Sequence, residues 1–598
     1  MANNILQTII PATYLVSHIS LHASNIILKY EHSTVSPVFG KDNHFFRCPR
    51  LLIYQQADAF DIKLYASKYM HLARNRSLEI ELSSGWNDVV SGKLHVRAAT
   101  AGLRLQTSET KVVSGSVELS KTSEVSIIRF GTMAVGTRAK LRVPFNLEHD
   151  NDDITLKLEI SYTTDKGEFF FATSPRMSIM LPLGVNVQDV FKHKALFSRF
   201  TITSATTSPL RLLSSKLENS DLFQAVSGTG LTRPVVVYPR QPASMLYKIT
   251  KSPLQTVSSP RTPSRVKSAL ALTLHYVCLE EEIDNAVTRS LEQSLQNTPL
   301  RPFARLVIPT VMSELRAHLS PHDLERIAVL SEVSTTLLSK VKWKDHFNGL
   351  GRSTYEDAEI SSLLSNKLQE WQQEYSRIPL LPITLDEATI ENSRSIIIPV
   401  EVPSITAVHT ADIRLLGKAS HSAVVPHNQP IPASLTIKWT KRWDTEVHHG
   451  TLTLPRTDNT EFVYEISAPT DMWLIGGRRK GHFKLKQDLQ ESNGALAFPI
   501  ILIPLREGFL PYPSLEIRPA PVTKVIQPKS PRSPVEASAL QEVAVTCETD
   551  YKNSGETIRV ISDARKTTVS LDASGPQGGA MLLESEPRNG GNEKLLLG

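Results

Sequence analysis

The sequence predicts a mostly β protein: tandem immunoglobulin-like β-sandwiches with an all-helical module between them, and disordered linkers and tail. Three observations predict it. Apolar and polar residues alternate with period two through most of the first 250 residues and again between 394 and 519, the mark of half-buried strands. Between 280 and 378 the apolar residues fall three or four apart instead, which is the helical period. Two internal stretches and the C-terminal end are rich in Ser, Pro, Gly and charge and lack the apolar anchors that a core requires.

In chain order, residues 1–74 read as the end of a preceding β-domain, since ILQTIIPATYLVSHISL alternates like a strand and lacks the basic start and cleavage site of a signal peptide. Residues 75–182 read as the first full sandwich. In SLEIEL the residues Leu78, Ile80 and Leu82 face one way and Glu79 and Glu81 the other, and KLHVR, AKLRVPF and DITLKLEISY repeat the pattern between turn clusters. A second sandwich is expected over 183–279, from SRFTIT through PVVVYP to LYKI, with a flexible linker at 251–265.

The helical module spans 280–378. Ile283, Val287, Leu291 and Leu295 form one apolar stripe, and Ile360, Leu364, Leu368, Trp371 and Tyr375 form another. Such stripes face their own core far more often than a partner. Ser320, Pro321 and Asp323 write a helix start, as N-cap, N1 and N3. A third sandwich is expected over 379–526, opening with RSIIIPVEV, with Leu435, Ile437 and Trp439 on the inner face of one strand. A disordered linker (527–538), a short β segment (539–562) and a disordered tail (563–598) complete the organisation.

Composition excludes several classes. Over 598 residues, Lys and Arg exceed Asp and Glu by only six (66 against 60), too dilute an excess for a nucleic-acid footprint, so no nucleic-acid partner is expected. Cys48, Cys278 and Cys547 lie far apart with no CxxC spacing, the usage expected of reduced thiols. The longest apolar runs, such as FPIILIP, are too short for a membrane helix.

No GxSxG, HExxH, GxxxxGK[ST] or helix-opening GxGxxG occurs, so no catalytic residue, cofactor-binding residue or metal ligand is assigned. The acidic stretch HDNDD (149–153) lacks the ligand spacing of a calcium loop and reads as a solvated hairpin turn. Adjacent His448 and His449 would point to opposite faces of a strand and share no metal. Arg478, Arg479 and Lys480, bracketed by glycines in LIGGRRKGHF, are a candidate contact for an anionic partner or a membrane surface; the competing reading is an exposed hairpin tip. Ser259, Thr262, Ser530 and Ser533 each precede proline in the linkers and are candidate phosphorylation sites. In SGWNDVVSGKLHVRAATAGLRL, Gly85, Gly92 and Gly102 read as turn and packing positions. Trp86 reads as an aromatic sealing one end of the sandwich, so this stretch is framework.

That same stretch, SSGWNDVVSGKLHVRAATAGLRL, resembles the signature of the trafficking protein particle complex subunit ten family, the large subunit specific to TRAPP II. The resemblance continues in VNVQDVFKHKALFSRFTITSATTSPLRLLSSKLE, VVVYPRQPASMLYKI, PLREGFLPYPSLEI and CETDYKNSGETIRV, over most of 45–562. It implies a non-catalytic scaffold or interaction subunit of a tethering and Rab guanine-nucleotide exchange complex in Golgi vesicle transport. Its implied partners are other TRAPP subunits, a Rab GTPase reached through the assembled complex, and a possible peripheral membrane contact. The implied localisation is cytoplasmic, peripheral at the Golgi and trans-Golgi network. Family members are about twice this long, so the chain is expected to correspond to a C-terminal portion, and no catalytic residue is carried over. Two rival readings stand beside this one: an arrestin-like or coat-appendage adaptor that binds cargo peptides along sheet edges, and an enzyme with accessory sandwiches.

Overall fold

Alternation becomes strand pairing in the computed structural model, which describes residues 12–15, 18–23, 26–31, 50–53, 58–72, 74, 76–120, 124, 126–149, 151–228, 231, 233–252, 269–347, 354–380, 389–390, 393–416, 424–444, 460–485, 495–520, 545–562, 567–571 and 580–584. The fold is mostly β, with a helical bundle between sheet domains.

In the first sandwich one sheet runs Lys111–Ser114, Arg138–Leu147, Arg76–Ser83, Asp61–Ala66. The other runs Leu119–Ser120, Ile127–Phe130, Ser91–Ala98, Asp153–Thr164, Gly167–Thr173. Leu78, Ile80 and Leu82 from the first sheet and Leu94, Val96 and Leu158 from the second are fully buried in one core. Two expectations need correction here. The strand Asp61–Ala66 pairs antiparallel with Arg76–Ser83, so the sandwich begins before residue 75. The stretch at 149–153 is no hairpin, because Arg138–Leu147 and Asp153–Thr164 belong to opposite sheets and the chain crosses between them.

Glu79 and Glu81 point away from the core yet are buried, at 3% and 9% exposure. The next strand covers them: Arg142 lies 3.0 Å from Glu79 and Lys140 lies 3.2 Å from Glu81. Both cations also sit over tyrosine rings, Lys140 over Tyr65 and Arg142 over Tyr69. Alternation gave the facing correctly and could not show that the outer face is roofed by long side chains.

The second sandwich packs the sheet Leu183–Phe191, Leu196–Ser204, Ala243–Lys251, Phe223–Ser227 against the sheet Val235–Val237, Leu210–Glu218, Leu270–Cys278, Arg394–Val400, Tyr69–His71. Two of these strands come from unexpected places. Arg394–Val400 pairs with Leu270–Cys278 and closes this sandwich instead of opening the third. Tyr69–His71 leaves the first sandwich and pairs in parallel with Ser395–Ile397. A one-dimensional pattern shows that a strand is half-buried and is silent about which neighbour buries it.

The strand Leu270–Cys278 runs directly into the helical module: α1 Leu279–Gln296, α2 Ala304–His318, α3 Pro321–Leu330, the single turn α4 Trp343–His346, and α5 Thr354–Glu374. The expected stripes form its core. Ile283, Val287, Leu291, Leu295, Leu364, Leu368 and Trp371 are buried, with Ile360 and Tyr375 packed at the margin. The buried Trp371 indole donates to the Ser290 hydroxyl at 3.2 Å, tying α5 to α1. At α3 the Ser320 hydroxyl accepts from the Asp323 amide and the Asp323 carboxylate accepts from the Ser320 amide, a complete capping box.

The third sandwich joins Trp473–Gly477, Ala495–Pro504, Ile431–Thr440, Ala407–Leu415 and Cys547–Tyr551 in one sheet, facing Lys480–Lys484, Glu461–Ser467 and Ser514–Pro519. The short β segment expected at 539–562 is found, over its described residues, as two strands paired into the third sandwich. Cys547–Tyr551 runs parallel to Ala407–Ala411, and Thr557–Ile561 lies between Val424–Pro426 and Gly508–Pro511.

Candidate interaction surfaces

Among the described residues no group of three or more His, Cys, Asp and Glu could hold a metal ion, and no helix is long and apolar enough to cross a membrane. A concavity of about 380 Å³ is an open shelf lined by Ser215, Lys216, Glu218, Asn219 and Tyr247 among others, in which the Tyr247 and Ser215 hydroxyls bond each other at 2.7 Å. That pairing brings no base to a nucleophile. Burial pushes the Cys278 thiol up to about 12 and the Cys547 thiol up to about 11, far from the thiolate form a reactive cysteine needs.

The signature loop is built to hold its tryptophan outward. The buried Ser84 hydroxyl donates to the Ala134 carbonyl at 2.7 Å and accepts from the Thr137 amide at 3.0 Å, pinning the loop to the neighbouring turn. Gly85 follows with φ +57°, and a Cβ there would lie 2.1 Å from the Asp58 carbonyl oxygen. That approach lets the Trp86 amide donate to the Asp58 carbonyl at 2.9 Å. Gly92 makes room for the Phe130 ring, and Gly102 (φ +77°) turns the chain at the opposite end of the sandwich. These glycines are framework, as expected. Trp86 is not: it is 54% exposed, with Val90 and Val135 exposed nearby, so the expectation that it seals the core is corrected. The glycine beside it spends the loop's conformational freedom on a backbone contact, which leaves the indole outside.

The basic cluster is a corner where the chain crosses from one sheet of the third sandwich to the other, so the hairpin-tip reading does not hold. The corner is braced by backbone contacts. The Tyr464 hydroxyl donates to the Arg478 carbonyl at 3.2 Å, and the Ile466 amide to the Arg479 carbonyl at 2.8 Å. Lys480 pairs with Glu465 at 3.2 Å, which also pairs with Arg518 at 3.3 Å. Arg478 and Arg479 are exposed and have no ion-pair partner among the described residues, so two of the three charges remain available. Ser259, Thr262, Ser530, Ser533, Cys48, His448 and His449 lie outside the described residues.

Sequence reasoning passed over the charged contacts that join the units. Arg211, on Leu210–Glu218, lies 3.3 Å from Glu282 of α1 and donates to the Ser331 hydroxyl at 3.0 Å. Arg394 grips Glu281 through two nitrogens. Arg301 bonds Asp58 at 2.7 Å, and Arg305 donates to the Ala59 carbonyl at 2.6 Å. The helical module therefore touches both the first and the second sandwich. The Glu-rich start of α1, LEEEIDN, was the available signal.

These structural units coincide with three family matches. A domain of unknown function, DUF7077, matches 57–178; the TRS130-like four helical bundle domain matches 281–383; and the TRAPPC10 C-terminal domain matches 399–561. The chain belongs to the TRAPPC10/Trs130 family. Membership gives it the role of a TRAPP II subunit and implies assembly with other TRAPP subunits. The matched limits also place residues 547–561 inside the TRAPPC10 C-terminal domain, in agreement with their strand pairing.

No curated protein matches the chain. Among solved structures, a cohesin module from a Clostridium perfringens family 33 glycoside hydrolase aligns at 11% identity and TM-score 0.17, over 20% of this chain and 96% of its own. A Salmonella alpha-2-macroglobulin variant aligns at 9% identity and TM-score 0.17, over 78% of this chain and 49% of its own. Likeness at this level carries no argument about function.

Proposed function

We propose that the chain is a non-catalytic scaffold and interaction subunit within the TRAPP II tethering and Rab guanine-nucleotide exchange complex, acting in Golgi vesicle transport as a peripheral, cytoplasmic component. The observation that carries this reading is the ordered set of family domains on a chain whose described residues offer exposed faces, free edges and braced corners. Exchange requires a surface that opens a GTPase's nucleotide site, and in this reading other subunits provide it. Arg478 and Arg479 are the residues proposed to meet an anionic partner or membrane. The linker serines and threonine, Ser259, Thr262, Ser530 and Ser533, are proposed to accept phosphate.

The test is co-purification followed by a fluorescent-nucleotide release assay on a late-Golgi Rab. The tagged chain is expected to bring core TRAPP subunits with it and, alone, to leave nucleotide release at the uncatalysed rate. Release accelerated by the isolated chain, or recovery with cargo and coat proteins in place of TRAPP subunits, would overturn the proposal.

A further inference from the structure

We propose that the second sandwich docks an extended, acidic peptide segment of a partner protein, which adds as a strand to the free edge Leu183–Phe191. This names the kind of partner that the scaffold reading requires, and it does not depend on that partner being a TRAPP subunit.

The edge strand is nine residues long, and its register fixes which backbone groups are free. The Lys192 amide donates to the Ala195 carbonyl at 2.8 Å, and the Ala205 amide to the Pro182 carbonyl at 2.9 Å. Both pairs flank the edge strand, at the even positions 182 and 192. Alternation therefore aims the N–H and C=O groups of Val185, Val187 and Asp189 away from the sheet. None of these groups has a hydrogen-bond partner among the described residues. A row of free donors and acceptors in extended backbone is complementary to another strand and to little else. The strand LGVNVQDVF contains no Pro or Lys, two residues that commonly blunt such edges.

The side chains around the edge select the occupant's chemistry. The outward positions of this sheet carry no Asp or Glu, and their only charges are Arg199 and Lys248. Arg199 is held by the Ser244 hydroxyl, and neither cation has a carboxylate within ion-pair distance among the described residues. Exposed Val190, Leu246 and Val226 interleave with them. Lys194 adds a further cation at the end of the edge, on the turn after Leu183–Phe191. On the inward side, Val187 is 37% exposed although it faces the fully buried Phe200 of the next strand, so the gap between the sheets is open at this edge. Asp189 also faces inward, its carboxylate accepting the Ser198 hydroxyl at 2.6 Å. An incoming strand would thus set apolar side chains against Val187, where Asp189 repels acids, and acidic ones outward, toward Lys194 and into the positive field that Arg199 and Lys248 give this face.

The test pans random peptides of about twelve residues, long enough to span the edge, against the purified full chain, and then measures a synthetic consensus peptide by fluorescence anisotropy. Enriched sequences are expected to alternate apolar residues with Asp or Glu, and bound peptide is expected to protect the amides of 183–191 from exchange. Val187→Pro removes one outward N–H without breaking a bond to the neighbouring strand, and edge positions of this kind accept proline. It is expected to weaken binding at least about tenfold, as is the exposed-face double variant R199E/K248E, with thermal unfolding of both unchanged. The double variant keeps the test decisive if V187P misfolds. Failure to enrich acidic alternating peptides, or protection appearing elsewhere, would overturn the proposal. So would phosphatidylserine-vesicle binding that survives V187P and is lost in R199E/K248E, since the face would then belong to a membrane. Loss of TRAPP co-purification leaves these readouts unaffected, so the two proposals fail separately.

Discussion

His409 should make the third sandwich acid-labile. It is fully buried on Ala407–Leu415, its ring 4.7 Å from Phe462 and 5.6 Å from Phe483, and neither ring nitrogen has a hydrogen-bond partner among the described residues. Burial depresses its pKa from 6.5 to about 4. A depressed folded-state value means that the stabilisation is complete above 6.5, the unfolded value, and drains away as pH falls toward 4. At about 1.4 kcal/mol per pH unit the full gap is worth about 3 kcal/mol, of which about 2 kcal/mol is lost by pH 5. The assay is amide hydrogen exchange, corrected for intrinsic rates, at pH 7.5 and 5.0. It follows Ile431–Thr440 and Glu461–Ser467, with the first sandwich as internal reference. His409→Leu removes the titration and the two unpaired nitrogens, so it should flatten this pH dependence and leave the sandwich at least as stable at pH 7.5. Equal pH slopes in parent and H409L would refute the reasoning, because other carboxylates and histidines are common to both.

Three further outcomes follow from the same geometry. Gly85→Ala should cost about 2 kcal/mol or more, since its Cβ must invade the Asp58 carbonyl at positive φ, whereas Trp86→Ala should cost under about 1 kcal/mol; denaturant unfolding of the two variants decides between framework and display. Arg211→Leu leaves the half-buried Glu282 without its partner and should loosen α1 by about 1–3 kcal/mol in exchange experiments, the cost being limited because the carboxyl can take up a proton, with most of it recovered in R211L/E282L. Burial pushes Glu282 up to about 7, the opposite sense to His409, so its protonation adds stability below about pH 4.5 and that gain is lost as pH rises through 7. Arg478→Ala and Arg479→Ala should each shift the melting temperature negligibly, while Gly481→Ala should lower it, because a Cβ there would lie 2.7 Å from the Tyr464 ring.

What was legible in the sequence was whatever one strand or helix carries by itself. Leu78, Ile80 and Leu82 alternate, the α1 residues repeat at helical spacing, and Ser320 with Asp323 caps α3; each pattern is local and each is realised. Partner choice was not legible, because alternation is satisfied by any neighbour that covers the apolar face. Tyr69–His71 and Arg394–Val400 show this, having been assigned to different units and found side by side in one sheet. Trp86 failed for a related reason. An aromatic among turn residues is consistent with sealing a core or with standing outside it, and the outcome depends on Gly85 meeting a carbonyl 27 positions earlier in the chain. His409 was detectable, since it alternates with Ala407, Ala411 and Ile413, but a buried histidine announces itself only through the partners it lacks.

The corrections share a consequence for how a scaffold of this kind works. Short-range pattern builds each strand and helix, while the units are joined by contacts distant in sequence, some apolar, as where Val408 and Trp443 enter the core of the second sandwich, and some charged: Arg211 with Glu282, Arg394 with Glu281, Arg301 with Asp58. A scaffold acts by holding separate surfaces at fixed separations, so these pairs matter to function without touching any partner. The edge Leu183–Phe191 is itself tied to the third sandwich just past its end, where Lys192 pairs with Asp550 and the Trp443 indole donates to the Lys192 carbonyl at 3.3 Å. Loss of a joining pair should therefore leave each sandwich folded and each surface chemically intact, and should weaken only those partners that need two surfaces at once.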